Sequence, residues 1–522
     1  MIGFSAPAMA QDAAPAPGGA GEVEAIVVTG TRMLNGNASP VPQTVVSTEQ
    51  LLTAQPGPVA QALSALPAFA GAASAGSGTN TAGTSLSLRF LGYSRTLVLF
   101  DGKRLAPTTY DQYVDANTVP QELLSRVDVV TGGVSAVYGS DAVAGVVNFI
   151  TDRNFNGFKG HAQYGISDYG DAATQDIGLA LGAPLFDGRG HIEGSVQYQN
   201  DEGLSRRSKR EWGVINTGQF GLGTADSPFH NIEYTRVSSH TFGGRISGAT
   251  GAGKGLNGLT FDSPGVLGPF VDGVESGSPD IQSGGGGAFN DASARPSQKI
   301  RQLFGRFDYD LTSDIHFFVE GAYDKSNYKA YDYDQRFNKM VFSGTNAFLP
   351  SQYQFDGTFK LSKYDTQLPR DTVEAVEKAY FFIAGLEGSL GEFKWDVAIN
   401  QAKSKIHNNI PSQIDLEKLY AATDAVTDSS GNIACRASIT NPELYSGCVP
   451  YNMFGPNAAS QAAMDYVLSP TYYESTNGMT DLTANIAGRR PTTGPARCRS
   501  PCRPSGARTA SRSRGTPTRP TT

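Results

Sequence analysis

Beyond Gly157 the sequence returns again and again to a two-residue period, and no other feature restricts the fold as much. Ile192, Gly194, Val196 and Tyr198 alternate with Glu193, Ser195, Gln197 and Gln199. Leu303, Gly305, Phe307, Tyr309 and Leu311 face away from Arg306, Asp308 and Asp310, as Phe393, Trp395, Val397 and Ile399 do from Lys394, Asp396 and Asn400. Successive side chains of an extended strand point to opposite faces, so each run is a strand with one apolar and one polar face. The 61 Gly, 22 Tyr and 27 Phe favour the same turn-rich β-structure. A soluble sandwich and a membrane barrel both satisfy this pattern.

The connections separate the two. The alternation places strands at 158–166, 174–185, 190–200, 299–311, 314–326, 376–389, 392–405 and 479–488. Asp187-Gly188, Thr312-Ser313 and Leu390-Gly391 read as tight hairpins, whereas 201–298, 327–375 and 406–478 are long and 167–173 is short. Tight turns alternating with mostly long loops put the turns at one end of a sheet and the loops at the other, as in outer-membrane barrels. No run of about eighteen apolar residues occurs, so a transmembrane helix is unavailable and a membrane role requires a barrel. The expectation is an incomplete antiparallel transmembrane β-barrel of about eight strands over 156–490, with long extracellular loops. Short β-segments are expected inside the first long loop, from Glu233 to Ile246.

Residues 40–155 read as a small α+β domain. Ser47-Thr48-Glu49-Gln50-Leu51-Leu52 caps and begins a short helix, Pro58 to Leu66 forms another, and Gly71 to Gly83 is a flexible loop. Strands are expected near Leu86, Leu97 and Val127. The stretch Val127 to Ile150 reads as strand, tight Gly turns, strand. Its Gly132, Gly133 and Gly139 fit neither the dinucleotide pattern nor the P-loop, so a phosphate cradle is set aside.

Residues 1–10 end in Ala8-Met9-Ala10, a small-x-small pattern like the close of a secretory signal, and read as the remnant of one. Residues 11–39 are a linker, rich at first in Ala, Pro and Gly. Within it the β-prone run Glu24, Ala25, Ile26, Val27, Val28 and Thr29 is either an edge strand offered to another protein's sheet or the first strand of the domain that follows. The net charge of -7 hides a split: residues 489–522 hold nine Arg and neither acid nor Lys, leaving 33 basic against 49 acidic residues, a net of -16. An acidic body argues against nucleic-acid binding.

Val127 to Ile150 resembles the end of the plug domain of TonB-dependent outer-membrane receptors, and Thr96 to Leu105 resembles its upstream strand, tight turn at Asp101-Gly102 and basic return. One departure stands out: the family usually has Arg-Gly-Leu-Gly where this chain has Arg89-Phe90-Leu91-Gly92. The resemblance implies that the 40–155 domain is a plug entering the barrel from the periplasmic side. It implies that Glu24 to Thr29 is the coupling box that pairs with TonB. External loops and the upper plug face would then capture a scarce solute, such as an iron–siderophore complex, for energy-coupled uptake. The implied partners are TonB, outer-membrane lipid and that small-molecule ligand, with no nucleic acid. The implied location is the outer membrane.

The six His are scattered, and no HExxH or GxSxG occurs, so the chain is read as neither an enzyme nor a holder of metal or cofactor. Cys435 and Cys448 fall in the last long loop with no His between them, which leaves zinc half a site. In an oxidising compartment the pair closes a loop as a disulfide. The following Cys448 to Gly455 is similar to an extracellular-loop segment of the same receptors. The tail 491–522 is disordered Arg/Pro-rich sequence of the kind that GC-rich DNA gives out of frame, with a true basic arm as the other reading. Two alternatives to a working receptor follow: a non-functional remnant of a truncated or frameshifted receptor gene, and a passive porin, which would lack the box and plug.

Overall fold

The computed structural model describes residues 42–54, 57–69, 83–109, 111–278 and 280–488. The expected coupling segment Glu24 to Thr29, the signal remnant and the tail 491–522 lie outside them.

The α+β domain is built on five strands: β1 Gln43–Ser47, β2 Thr96–Phe100, β3 Lys103–Arg104, β4 Leu124–Thr131 and β5 Gly145–Thr151. They pair in the order β1-β4-β5-β2-β3, with β2 and β5 parallel and the other pairs antiparallel. Every residue of β2 is buried, because alternate side chains enter two different cores. Val98 and Phe100 join Val127, Val129, Val147 and Phe149 against the helices at Thr48–Ala54 and Val59–Leu63. Leu97 and Leu99 join Val130, Val134 and Val146 on the other side. A sheet covered on both faces needs continuous apolar runs, which Leu97 to Phe100 and Val146-Val147 supply.

Between β4 and β5 the chain makes a helical turn at Ser135–Tyr138 and a 3-10 turn at Ser140–Ala142, a departure from plain glycine turns. The strand expected near Leu86 is only an isolated bridge, Ser85 to Asp115. Its amides go elsewhere: Leu88 donates to the Thr96 hydroxyl and Arg89 to the carbonyl of Ala68. At Arg89-Phe90 both residues take positive φ, 52° and 59°, and the Leu91 amide closes the turn on Leu88. The turn therefore forms without the family's glycine, at the cost of holding two side-chain-bearing residues left-handed.

The second unit is one antiparallel meander of eight strands, each paired with its sequence neighbours: β6 Gly157–Gly165, β7 Thr174–Leu185, β8 Gly190–Asp201, β9 Ser297–Asp310, β10 Ile315–Tyr331, β11 Thr372–Leu390, β12 Phe393–Ile410 and β13 Thr471–Gly488. Tight turns join β7 to β8, β9 to β10 and β11 to β12 at one end, and the long segments leave from the other. Strand β13 begins at Thr471, eight residues before its expected start at Met479. Those residues carry Glu474, Ser475, Thr476 and Asn477, so their side chains give no apolar period to read. Among the described residues β6 and β13 each pair on one side only, so the barrel wall is open.

The wall is inside out. Leu181, Leu303, Phe382 and Leu482 are 51–60% exposed on one face, while Gln302, Glu320, Glu377 and Asn400 on the other are at most 6% exposed. A soluble sheet buries the first set and exposes the second; a sheet between hydrocarbon and a polar interior does this.

The long loops fold together. Segments Arg245–Ser247, Leu259–Ser263, Val266–Pro269, Gln335–Ser343 and Thr358–Asp365 make a five-stranded sheet from two loops, which agrees with β-structure in the 233–246 region. Tyr451, Met453 and Phe454 of the third loop complete its core with Phe261, Phe342 and Phe359.

Candidate functional site

The α+β domain lies against the polar face of the wall, and the seam between them is where this structure can do work. Wall side chains donate to main-chain carbonyls of the domain along its length: Asn400 to Arg104 at 2.6 Å, Ser404 to Pro107 at 2.6 Å and Asn477 to Thr109 at 3.0 Å. Gln302 donates to Asn117 at 2.5 Å and Val119 at 3.0 Å, and Lys159 to Glu122 at 2.7 Å. The carbonyls of Pro107, Thr109, Val119 and Glu122 belong to irregular segments, whose backbone groups have no ladder to satisfy them, while Arg104 ends β3 and Asn117 lies in a 3-10 turn. Lys103 adds an ion pair to Asp396 at 3.2 Å. The Phe100 ring centroid lies 5.6 Å from Phe304 and 5.1 Å from Phe381, and Ile383, Ala398, Ala402 and Met479 of the wall join the same apolar cluster.

Asp115 is the node toward the long-loop end. Its carboxylate accepts from the amides of Thr84 at 2.7 Å and Asn117 at 2.9 Å, and from the Tyr328 hydroxyl of β10 at 2.5 Å. Burial pushes its pKa up to about 6, and the three donors work against that rise without cancelling it. Glu122, on the same domain, is also raised by burial, with His161 of β6 3.3 Å away offsetting part of the effect. Asp324 and Glu377 line the wall beside Asp115, with Ser326 bonded to Asp324 at 2.8 Å and the Thr108 hydroxyl of the plug beside Glu377. A cavity of about 20 Å³ opens there, lined by Leu105, Thr108, Thr118, Asp324, Phe381 and Ser404. It has room for about one water and none for an organic ligand.

Toward the tight-turn end, Arg306 spans Asp308 and Glu320 in full burial, and His316 lies 3.0 Å from Asp308 and 2.8 Å from Asp310. The Asp101-Gly102 turn of the domain sits over this network. The Asp101 carboxylate accepts from the Thr151 amide at 3.0 Å and hydroxyl at 2.6 Å, which locks the β2–β3 turn to the end of β5 just before the wall begins.

Glu24 to Thr29 are outside the described residues, so the structure brings nothing to them. The Cys435 and Cys448 sulfurs lie 2.02 Å apart, with Cα atoms 6.2 Å apart, in the third long loop. Sequence reasoning missed Asp115, Tyr328, Gln302 and the buried ion pair Lys363–Asp365 of the loop layer (3.3 Å). The polar members of the strand alternation were the available signal for Gln302, whereas Tyr328 falls beyond the expected strand 314–326, which the structure extends to Tyr331. Asp115 lies in irregular sequence that carries no pattern.

An α+β domain hydrogen-bonded onto the polar face of a membrane-type β-wall defines a plugged barrel. Residues 36–146 match the family model of the TonB-dependent Receptor Plug Domain, and the chain thus carries a plug of that family followed by barrel-type strands. Among solved structures it is similar to the ferric enterobactin receptor PfeA of Pseudomonas aeruginosa, at 12% identity over 85% of this chain and 46% of that one, with a TM-score of 0.40. It is also similar to the siderophore receptor PiuA of Acinetobacter baumannii, at 16% identity over 86% and 55%, TM-score 0.36. The ferric yersiniabactin uptake receptor FyuA of Yersinia pestis gives 12% over 85% and 54%, TM-score 0.36. The chain spans about half the length of these receptors.

Proposed function

We propose that this chain is the coupling segment, plug and first wall strands of an outer-membrane receptor that takes up a scarce solute, such as an iron–siderophore complex, with energy delivered by TonB. In this reading Glu24 to Thr29 pair with TonB as an added strand, residues 40–155 are the plug and 156–490 the wall with its loops facing outward. The observation that supports it most is the seam. The wall offers the plug Gln302, Asn400, Ser404 and Asn477, bonded to main-chain carbonyls, beside an apolar patch that includes Phe304, Phe381, Ile383 and Ala402. The polar part of that face exchanges its partners for water at modest net cost when the plug moves. An apolar seam would have to expose its whole surface to water.

The test is uptake by the receptor carrying this sequence, produced behind a secretory signal in cells lacking their own receptor for the probe. Radiolabelled ferric siderophores are supplied with and without the proton gradient. Val27→Pro removes a backbone donor from the added strand, so it should block uptake while leaving surface binding intact. Uptake that survives the substitution, or that needs no gradient, overturns the reading.

A further inference from the structure

The inner face of the wall is acidic beyond what the plug can match. Among the described residues of β6 to β13, the buried charged side chains are Glu193, Asp308, Glu320, Asp324, Glu377 and Asp481, against one base, Arg306. Arg306 is itself held between Asp308 and Glu320. These carboxylates are on the face that meets the plug: Asn400, opposite Asp481, donates to the Arg104 carbonyl, and Gln302, opposite Asp324, donates to that of Asn117. The register spreads them along the wall. Glu377 is level with Ser326 of β10, Asp324 is one same-face step nearer the tight turns, and Glu320 shares its level with Glu193 and Asp481. Asp396 is level with His316, so the line from Glu377 to Asp396 covers ten residues of β10, roughly 34 Å at the strand rise.

A face built only to hold the plug would meet it with opposite charge. Instead Asp115 of the plug stands beside Asp324 and Glu377, and Asp101 beside Glu320. Like charges brought together away from water disfavour the contact. Among the described residues Lys103 is the one plug cation ion-paired to the wall, 3.2 Å from Asp396 and 3.3 Å from the Thr483 hydroxyl. One same-face step from Thr483, Asp481 is 8% exposed, and no hydrogen bond or ion pair reaches its carboxylate among the described residues. Ionisable residues retained at such cost inside a membrane-spanning wall mark a path for the opposite charge.

We propose that the solute carried along this face is cationic, and that Glu377, Asp324, Asp481 and Asp396 receive its positive groups in turn as the plug yields. The Lys103 ammonium on Asp396 shows the mode of contact, a cation held by a carboxylate and a hydroxyl, which a passing ammonium takes over once Lys103 leaves. Hydrated carboxylates are ionised at neutral pH, and a passage lined by one sign of charge concentrates the opposite sign and repels its own. The inference rests on the receptor reading and narrows its solute to one class of charge.

The experiment supplies cells that produce the receptor carrying this sequence, and lack their own receptors for the probes, with radiolabelled iron complexes of one ligand in three charge states. Ferrioxamine B is cationic through its free amine, its N-acetyl form is neutral and its N-succinyl form anionic; the anionic tris-catecholate ferric enterobactin is the fourth probe. Gradient-dependent uptake should be about tenfold faster for the cationic complex than for the N-succinyl form, with the neutral form between them, and the difference should shrink as salt is raised. Asp324→Asn/Glu377→Gln/Asp481→Asn should bring the three rates together. Asp187→Asn/Asp314→Asn/Glu392→Gln, an equal charge change on the tight turns, should leave the ranking as it is. The ranking in the unmodified receptor decides the matter even where a variant fails to assemble. Equal rates for all probes, faster uptake of either anionic one, or a ranking that survives the first triple substitution overturns the inference and leaves the receptor reading standing. Gradient-dependent uptake of none of the four overturns the receptor reading and this inference with it.

Discussion

The Tyr328 hydroxyl donates to the Asp115 carboxylate at 2.5 Å, joining wall to plug across 213 residues of sequence. Both residues are buried, and the other donors to that carboxylate are plug amides, those of Thr84 and Asn117. Withdrawing the plug would break one bond of the three and return a carboxylate to water. The contact is thus strong enough to seat the plug, and solvation of the freed carboxylate offsets part of what separation costs.

Tyr328→Phe keeps the ring and deletes the donor. The buried carboxylate then lacks one partner, which costs about 1–3 kcal/mol. Amide hydrogen exchange should quicken around Thr84 and from Asp115 to Val119 while the β2–β5 sheet stays protected. Unchanged exchange at those amides would show that the bond does not hold the plug.

The same carboxylate predicts a pH dependence. Its folded pKa, about 6, is above its ordinary value of 3.8, so folding favours the protonated form. The contribution is complete below the ordinary value and is lost as pH rises through about 6. Seating of the plug should therefore tighten on acidification from pH 7 to about 4.5, as read by protease resistance of the 84–119 segment. Asp115→Asn should flatten that difference; a difference of equal size in the variant would assign it to other groups.

Gly145 and Gly102 both have positive φ, 147° and 77°, yet they should respond very differently to alanine. A Cβ on Gly145 would stand 2.1 Å from the Val130 carbonyl oxygen and 2.7 Å from Leu88, inside the β4–β5 pairing. At Gly102 nothing lies within 4 Å. Gly102→Ala should cost about 1 kcal/mol and Gly145→Ala enough to unfold the plug, as thermal melts of the two variants would show. Equal melting temperatures would refute the close approach.

The sequence made the wall legible because its strands are read by period alone, and a period of two survives where one face meets lipid and the other a plug. Leu303 to Leu311 displayed it without interruption. The plug was legible through its Asp101-Gly102 turn, where both residues take positive φ, and through the strands read at Leu97 and Val127. The seam was not, since Asn400, Ser404 and Asn477 bond to carbonyls whose position depends on how two separately folded units meet. The loop layer was hidden for a similar reason: its core draws Phe261, Phe342 and Phe454 from three different loops, and none of these carries a local pattern.

That layer holds a buried pair whose worth can be measured. Lys363 lies 3.3 Å from Asp365 and donates to the Gly455 carbonyl at 2.9 Å, while Tyr451 donates to Asp365 at 3.0 Å. Burial lowers the lysine pKa, and Asp365 acts against that fall. Lys363→Met alone strands a buried carboxylate and should cost about 3–5 kcal/mol of loop-layer stability. Lys363→Met/Asp365→Leu should recover most of it. A double variant no more stable than the single one would mean that the pair is not coupled.

The last prediction concerns Cys435 and Cys448. Cys435 ends the strand Ile433–Cys435, which pairs with Ala425–Thr427, and it is fully buried. Cys448 stands just before Tyr451, Met453 and Phe454, which fill the core of the loop layer. Between them the chain makes an excursion through helices Arg436–Thr440 and Pro442–Tyr445, in which no residue is buried. Without a bond, that excursion is held by few contacts and its ends gain freedom on unfolding. A disulfide closing a loop of this length removes about 3 kcal/mol of unfolded-state entropy. We therefore expect both thiols of the exported protein to resist alkylation until reduced. Cys448→Ser should lower loop-layer stability by about 2–3 kcal/mol, with hydrogen exchange rising from Ile433 to Gly455 and unchanged in the plug. Free labelling of both cysteines without reductant would show that the bond does not form, and a loss of protection reaching β2 or β5 would show that the loop layer and the plug unfold as one unit.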